Sequence, residues 1–238
     1  MQKIAKFGFL PALFFCFISV SFAHETIPFK NGGSIVGTVE FVGSIVPADP
    51  RFTLTSETKY CGNSLPAEEY LIKDRRVENV VVSLVGIKAG KAGPGETVTV
   101  TNRKCGFVPH VAVGFKGASI IMKTDDPVLH TFDVHALLSG KELFHFSLHE
   151  QGSSVTKKIT TAGLMALSDY VHPWQRAYVY IFDHPYAAIT DEKGRFAIND
   201  IPPGNYTIEA WHEALGTKKI TNIKVESGKT STIKFEYQ

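Results

Sequence analysis

The sequence has few cysteines and none of the short motifs that mark common enzyme classes. Three cysteines among 238 residues exclude a fold held together by several disulfides. There is no Gly-x-Ser-x-Gly, His-Glu-x-x-His, P-loop or dinucleotide fingerprint. Acidic residues are adjacent at 68–69 and at 125–126, but the sequence does not indicate that two carboxylates lie at the distance that acid–base catalysis requires. Acidic pairs in loops are usually solvated. We therefore expect a protein that is not an enzyme.

The chain also lacks a convincing helical period. Short runs of alternating apolar and polar residues, such as 33–42 and 96–102, are typical of strands. Gly and Pro punctuate these runs, for example at 191–194 and 201–204, where they favour turns. The pattern predicts an all-β fold made of sandwiches. A basic patch with interleaved aromatic residues is absent as well, which argues against nucleic acid as a partner.

The N-terminal segment differs from the rest of the chain. Lys3 and Lys6 precede an uncharged stretch, residues 7–23, that ends in a small-x-small sequence, Ser-Phe-Ala. The stretch is short for a membrane span. We predict a signal peptide over residues 1–23, no membrane span after its removal, and a periplasmic or secreted location. Its removal leaves 23 basic and 23 acidic residues, so the net charge is near zero.

Cys61 and Cys105 remain after this cleavage. In an exported protein, two cysteines most often form one disulfide, and we predict this pairing. The alternative is that one of them is a metal-binding thiolate.

Three motifs follow one another between about residue 95 and residue 184. Cys-x-Phe-x-Pro-His lies at 105–110, Asp-Pro-x-x-His at 126–130, and His-Pro-Trp at 172–174. Their order resembles that of a cupredoxin. The resemblance implies a Greek-key sandwich over residues 93–184 that carries a copper site.

A second pattern lies near the C-terminus. Residues 190–206 read Thr-Asp-x-x-Gly-x-Phe-x-Ile-x-x-Ile-Pro-Pro-Gly-x-Tyr. The pattern resembles a carboxypeptidase-regulatory-like module, also described as a carbohydrate-binding-like fold, and implies a smaller sandwich over residues 185–238. Strands expected within 33–92 resemble the opening strands of such a module. They are candidates to pair with the C-terminal strands, which would make the cupredoxin-like part an insertion. The combination resembles exported bacterial proteins of the methylamine-utilisation type.

The cupredoxin resemblance implies a set of candidate ligands. His130 and His172 match the two imidazoles, Asp169 occupies the position of the usual thiolate, and Gln175 that of the axial methionine. A carboxylate cannot replace the strong copper–sulfur bond, so we expect no blue-copper centre. Two interpretations remain open. Either the residues bind copper, or less favourably zinc, through nitrogen and oxygen, or the site is vestigial and local hydrogen bonds fix the histidines.

The remaining histidines have mainly structural interpretations. His110 and His184 each lie beside a proline at a strand end, which favours a turn-stabilising role. His145 and His149 share the solvated face of a predicted strand. Cleavage would make His24 N-terminal, where it either chelates copper through its amine and imidazole or belongs to a frayed tail.

The leading hypothesis is an exported, non-enzymatic copper-binding protein whose cupredoxin-like site lacks the thiolate. The alternative is a binding or scaffold module of the cell envelope, for glycans or protein surfaces, with a vestigial metal site. In that case Tyr206, Trp211 and His212 are the candidate contacts, because exposed aromatic rings can stack on sugar faces. The competing interpretation of these aromatic residues is that they belong to a core or an interface.

Overall fold

A computed structural model describes residues 24–238. The predicted signal peptide, residues 1–23, lies outside the described residues. Strands dominate the rest, which confirms the all-β class expected from the sequence. Between residues 24 and 238, no helix is long and apolar enough to cross a membrane.

The described residues form 22 strands and one short helix. In chain order the elements are Glu25–Thr26 (β1), Gly33–Phe41 (β2), Arg51–Thr53 (β3), Thr58–Cys61 (α1), Ser64–Pro66 (β4), Ile72–Lys73 (β5), Arg76–Val77 (β6), Val81–Val85 (β7), Ala89–Gly90 (β8), Val98–Arg103 (β9), Gly106–Val108 (β10), Val111–Phe115 (β11), Ser119–Thr124 (β12), His130–Ala136 (β13), Glu142–Leu148 (β14), Ser154–Lys158 (β15), Gly163–Ser168 (β16), Arg176–Phe182 (β17), Ala187–Ile189 (β18), Arg195–Ile201 (β19), Gly204–His212 (β20), Gly216–Val225 (β21) and Thr230–Tyr237 (β22).

One sandwich, which we call the terminal sandwich, combines early and late strands. One of its sheets has the order β18-β7-β20-β21, and the other has the order β19-β2-β6-β5 with β22 also paired to β2. Alternate residues of β2 are buried, as the alternating sequence predicts. Ile35, Leu84 and Ile208 contribute to a core shared by the two sheets. Strands β2 and β7 therefore pair with strands that follow residue 186.

The second sandwich, which we call the central sandwich, spans β9 to β17. Its sheets have the orders β10-β9-β12-β15 and β11-β17-β16-β13-β14. Val100, Phe132 and Val179 lie in its core. The parallel pairs β9–β12 and β11–β17 bring strands that are distant in the chain side by side.

A small excursion, residues 51–66, carries β3, α1 and β4, and we call it the cap. Leu54 and Cys61 of the cap form a buried cluster with Cys105 and Trp174 of the central sandwich. The Tyr60 hydroxyl donates a hydrogen bond of 2.9 Å to Asp126 of the central sandwich. The cap therefore covers the end of the central sandwich where His172 lies.

Some expected strands are shorter or divided in the structure. The apolar residues of 77–85 predict one strand, but Asn79 has φ 62° and separates β6 from β7. The sequence of 68–73 predicts another strand, yet Glu68 has φ 61° and only β5 is extended. Gly and Pro in 105–110 predict a turn, but this segment contains β10, which forms a hairpin with β9.

Candidate metal site

The candidate ligands lie together at one end of the central sandwich. His130 begins β13, while Asp169 and His172 belong to the loop 169–175 that joins β16 to β17. Antiparallel pairing of β13 with β16 brings the two segments together. All three side chains are buried, with relative exposures of 0 to 1%.

Two imidazoles converge on one carboxylate oxygen. His130 Nδ1 lies 2.8 Å from Asp169 Oδ2, and His172 Nδ1 lies 3.1 Å from the same atom. The centroids of the two rings are 4.6 Å apart. Each residue offers a ligand atom within 4.8 Å of the others, so the set could hold a metal ion.

The second oxygen of Asp169 fixes the orientation of this carboxylate. Oδ1 accepts hydrogen bonds from the Thr131 hydroxyl (2.7 Å) and from the backbone N–H groups of Thr131, Val171 and His172. Burial acts to raise the pKa of Asp169, but hydrogen bonds from His130, His172 and Thr131 outweigh it and hold the pKa well below its ordinary value. The carboxylate is therefore a fixed negative charge that faces both rings.

A second carboxylate, Asp126, approaches His130 from the other side. We expected the acidic pair 125–126 to be solvated, and for Asp126 this is wrong, because its side chain is fully buried. His130 Nε2 lies 3.1 Å from Asp126 Oδ2, which also accepts a hydrogen bond from the Cys105 N–H. Burial acts to raise the pKa of Asp126, but these hydrogen bonds lower it to about 2. The spacing Asp-x-x-x-His was the signal in the sequence that could have revealed this contact.

His130 is thus held between two negative charges. Burial acts to lower its pKa, yet hydrogen bonds to Asp126 and Asp169 outweigh burial, and the pKa of His130 is raised. The arrangement attracts a cation, either a proton on the ring or a metal ion beside it.

Gln175 lies beside the site but does not present its oxygen to it. Its Oε1 accepts a hydrogen bond of 2.6 Å from Asn102, whereas its Nε2 lies 3.2 Å from His130 Nδ1. In this orientation the amide nitrogen of Gln175, and not its oxygen, faces His130. The contact with Asn102 was not anticipated, since β9 is far from Gln175 in sequence.

Cys61 and Cys105 form a disulfide with Cα atoms 5.5 Å apart, as predicted. Neither sulfur is therefore a thiolate ligand, and the alternative interpretation of these cysteines is wrong. Trp174 donates its indole N–H to the Cys105 carbonyl at 3.0 Å.

His172 Nε2 is buried without a hydrogen-bond partner among the described residues. Among the described residues the His172 ring is thus hydrogen-bonded through Nδ1 only, and it packs against the Trp174 ring with centroids 5.1 Å apart.

Residues 172–238 match the family model of the carboxypeptidase regulatory-like domain. The match begins at the His172 loop, thirteen residues before the expected boundary at 185. A comparison with curated protein sequences finds no match.

Solved structures similar to the chain include several copper proteins. A Cu-containing nitrite reductase from Thermus scotoductus shares 19% identity over 41% of this chain, with a TM-score of 0.34, and the chain spans only 24% of that protein. A purple cupredoxin from Nitrosopumilus maritimus shares 18% over 36% of this chain and 99% of that chain, with a TM-score of 0.32. Amicyanin from Paracoccus versutus shares 13% over 37% of this chain and 84% of that chain, also with a TM-score of 0.32. The family match supports the expected carboxypeptidase-regulatory-like module near the C-terminus, and we transfer neither a fold nor a residue role from the solved structures.

The expected glycan contacts of the carboxypeptidase regulatory-like domain do not form an exposed aromatic platform. His212 is only 3% exposed and cannot offer its ring to a ligand. Trp211 packs against Tyr178 and Tyr180 of the central sandwich, with ring centroids 5.5 and 6.1 Å away. The Tyr206 hydroxyl donates to the Pro202 carbonyl at 2.7 Å. Trp211 is thus part of the contact between the sandwiches, as the competing interpretation expected.

His212 makes the stability of this domain sensitive to mild acid. Its Nδ1 accepts hydrogen bonds from the N–H groups of Ala214 and Leu215, so the ring is neutral when folded. Burial lowers its pKa to about 4, whereas the unfolded ring has the ordinary value of 6.5. The unfolded state therefore binds more protons between these values, and stability falls as the pH falls.

We expect His212→Asn to remove this dependence, because the Asn oxygen can replace Nδ1 as an acceptor. The free energy of unfolding of wild type minus that of the variant should fall by ~3 kcal/mol between pH 7.5 and pH 4. Urea denaturation across this range measures the difference. A difference that stays constant with pH would show that His212 titrates normally.

The remaining candidate histidines also have partners. His110 is hydrogen-bonded to Glu213 and lies 3.1 Å from the Arg176 carbonyl, so it joins the two sandwiches rather than only a turn. His184 Nδ1 accepts the Tyr186 N–H, which is a turn contact as expected. His24 lies 3.1 Å from the Lys91 carbonyl, and β1 pairs with β8, so the frayed-tail interpretation is wrong.

Proposed function

We propose that this chain is a non-enzymatic protein of an extracytoplasmic compartment that binds Cu(II) through His130, Asp169 and His172. The observation that carries the proposal is the approach of two imidazole Nδ1 atoms to one Asp169 oxygen, at 2.8 and 3.1 Å. The disulfide supports the compartment, because such bonds persist in oxidising surroundings.

The separations of the ligand atoms suit a metal ion. Two ligand atoms that lie about 2.0 Å from an ion and form a right angle at it are about 2.8 Å apart. The His130–Asp169 distance equals this value, and the His172–Asp169 distance corresponds to a slightly wider angle. Tetragonal nitrogen and oxygen sites favour Cu(II), whereas zinc prefers tetrahedral angles.

The surroundings of His130 also suit a ligand. Metal-binding imidazoles usually direct the other ring nitrogen to a carboxylate or a carbonyl, which fixes the ring and makes it a better donor. Asp126 makes this contact with Nε2 at 3.1 Å. Tyr60 of the cap and the backbone N–H groups of Lys104 and Cys105 in turn hold Asp126.

The donor set decides what kind of copper chemistry the chain could support. A thiolate gives blue-copper sites their colour and rapid electron transfer, and the two described cysteines are bonded to each other. An ion held by two imidazoles and one carboxylate would be a Cu(II) centre without this absorption. Asp169 supplies charge, Thr131 fixes the carboxylate, and Trp174 closes the site from the side of the cap. These roles fit binding or storage of the ion rather than electron shuttling.

Copper uptake by the purified protein tests the proposal. We expect wild type to bind Cu(II) with an EPR signal of nitrogen ligands and no intense visible absorption. His172→Ala removes a ligand and should weaken this binding by more than about 100-fold. Removal of a residue that only hydrogen-bonds to a ligand already weakens metal binding by up to about 100-fold. Circular dichroism and thermal melting establish that the variant is folded.

His149→Ala is the matched control, because His149 is exposed and lies outside the site. It should bind copper as wild type does. If folded wild type takes up no Cu(II), or if His172→Ala binds it with unchanged affinity, the interpretation as a vestigial site held by hydrogen bonds is correct.

A further inference from the structure

A second cluster of metal-ligating side chains lies on β13 and β14, away from the buried site. Asp133 and His135 belong to β13, and Glu142 and His145 belong to β14. The ligand atoms of Asp133, His135 and Glu142 lie within 4.8 Å of one another. His145 Nδ1 lies 3.5 Å from Asp133 Oδ1, and His135 Nδ1 lies 3.1 Å from Asp133 Oδ2.

An irregularity in strand pairing assembles the cluster. Asp133 is opposite His145, and His135 is opposite Glu142, because the register shifts between Val134 and His135. In a regular strand, residues three apart such as Glu142 and His145 point to opposite faces. The bulge instead brings both of them to the face that Asp133 and His135 share. Bulges of this kind often redirect a side chain beside a functional site.

Asp133 has an unsatisfied oxygen. Its side chain is 4% exposed, and Oδ1 has no hydrogen-bond partner among the residues that the structure describes. The Ser168 hydroxyl reaches only Oδ2, at 3.4 Å. Tyr170 is near as well, since its interaction with the Asp133 carboxylate raises the pKa of its hydroxyl. Oδ1 thus lacks a close donor, with His145 Nδ1 at 3.5 Å, and a cation bound to it would offset the cost of its burial.

We propose that Asp133, His135, Glu142 and His145 form a second metal site, which binds Zn(II). Asp133, His135 and Glu142 supply three ligands that already lie within reach of one ion. His145, whose Nδ1 lies 3.5 Å from Asp133 Oδ1, supplies the fourth by a rotation of its exposed side chain, which completes a nitrogen and oxygen set of the kind that zinc takes in proteins. The side chains of His135 and His145 are 31% and 43% exposed, so an ion can enter without opening the fold. The exposure of these side chains distinguishes this cluster from the buried one at His130, Asp169 and His172, and the inference does not depend on copper binding there.

Zinc titration of the metal-free protein by calorimetry tests the inference. We expect wild type to bind Zn(II), and the double variant His135→Ala/His145→Ala to bind it at least about 100-fold more weakly. Asp133→Asn should also weaken binding, whereas His149→Ala, an exposed histidine just after β14, should not change it. The single variant His145→Ala removes a largely exposed ring and serves if the double variant does not fold.

Three outcomes would overturn the inference. The first is the absence of zinc binding by folded wild type, and the second is undiminished binding by the folded His145→Ala and double variants. The third is a loss of zinc in His172→Ala alone, which would place the ion in the buried site. Copper EPR of the double variant separates the two proposals, because Cu(II) also suits the second site. A signal that persists in the double variant and disappears when His172→Ala is added to that variant belongs to the buried site.

Discussion

Asp169→Ala is expected to lower the free energy of unfolding of the metal-free protein by about 3–5 kcal/mol, the range for breaking a buried charge pair. The carboxylate accepts hydrogen bonds from the Thr131 side chain and from three backbone N–H groups, and it also contacts both rings. Alanine leaves all these buried groups without an acceptor, which is the main cost. Urea denaturation followed by circular dichroism measures the loss.

Asp183→Ala and Asp169→Asn are the controls for this prediction. Asp183 is exposed, so its replacement should change stability by less than about 0.5 kcal/mol. Asparagine retains an oxygen that can accept from the Thr131 and backbone donors. Asp169→Asn should therefore lose less free energy of unfolding than Asp169→Ala. A loss below about 1 kcal/mol in Asp169→Ala would mean that the loop 169–175 does not depend on this carboxylate.

Removal of the disulfide is the second change with a large expected effect. Cys61 and Cys105 are 44 residues apart, and closing a loop of this length restricts the unfolded chain by about 4 kcal/mol. The double variant Cys61→Ala/Cys105→Ala should lose about this amount in urea denaturation. The loss should also loosen the cap, because both cysteines belong to the cluster that holds it against Trp174.

Reductant provides the matched comparison. Wild type in a thiol reductant should approach the stability of the double variant, while the double variant should not respond to reductant. A double variant as stable as oxidised wild type would show that the apolar contacts of Leu54 and Trp174 hold the cap without the bond.

The sequence indicated part of the site and missed part of it. The resemblance to a cupredoxin implied that His130, Asp169 and His172 would meet, and in the structure the pairing of the neighbouring strands brings them together. The role of Asp126 was missed, because two adjacent acidic residues in a turn are typical of a solvated loop. Its burial depends on Tyr60 and on the Cys105 N–H, which lie elsewhere in the sequence.

For the fold, the sequence predicted the features that depend on neighbouring residues and missed those that depend on distant strands. Alternation predicted most strands of both sandwiches, because one face of each strand is buried. It failed at Glu68 and Asn79, where a positive φ interrupts the strand. Asn adopts this conformation more often than most residues, so Asn79 offered a signal, whereas Glu68 has the same residue type as its neighbour Glu69. The bulge at His135 was also invisible, since it depends on how β13 pairs with β14.

The pairing of β2 with β19 and β22 affects how the chain is made. Residues 33–41 are synthesised on the order of ten seconds or more before their partners at 195–237, at usual rates of translation. Ile35 and Val39 have no sheet to cover them during that interval, and such a strand is prone to join other chains. A nonsense mutation at Thr230, which removes β22, would therefore leave β2 paired with β19 but unpaired along most of its other edge, because β6 meets that edge only at Glu40.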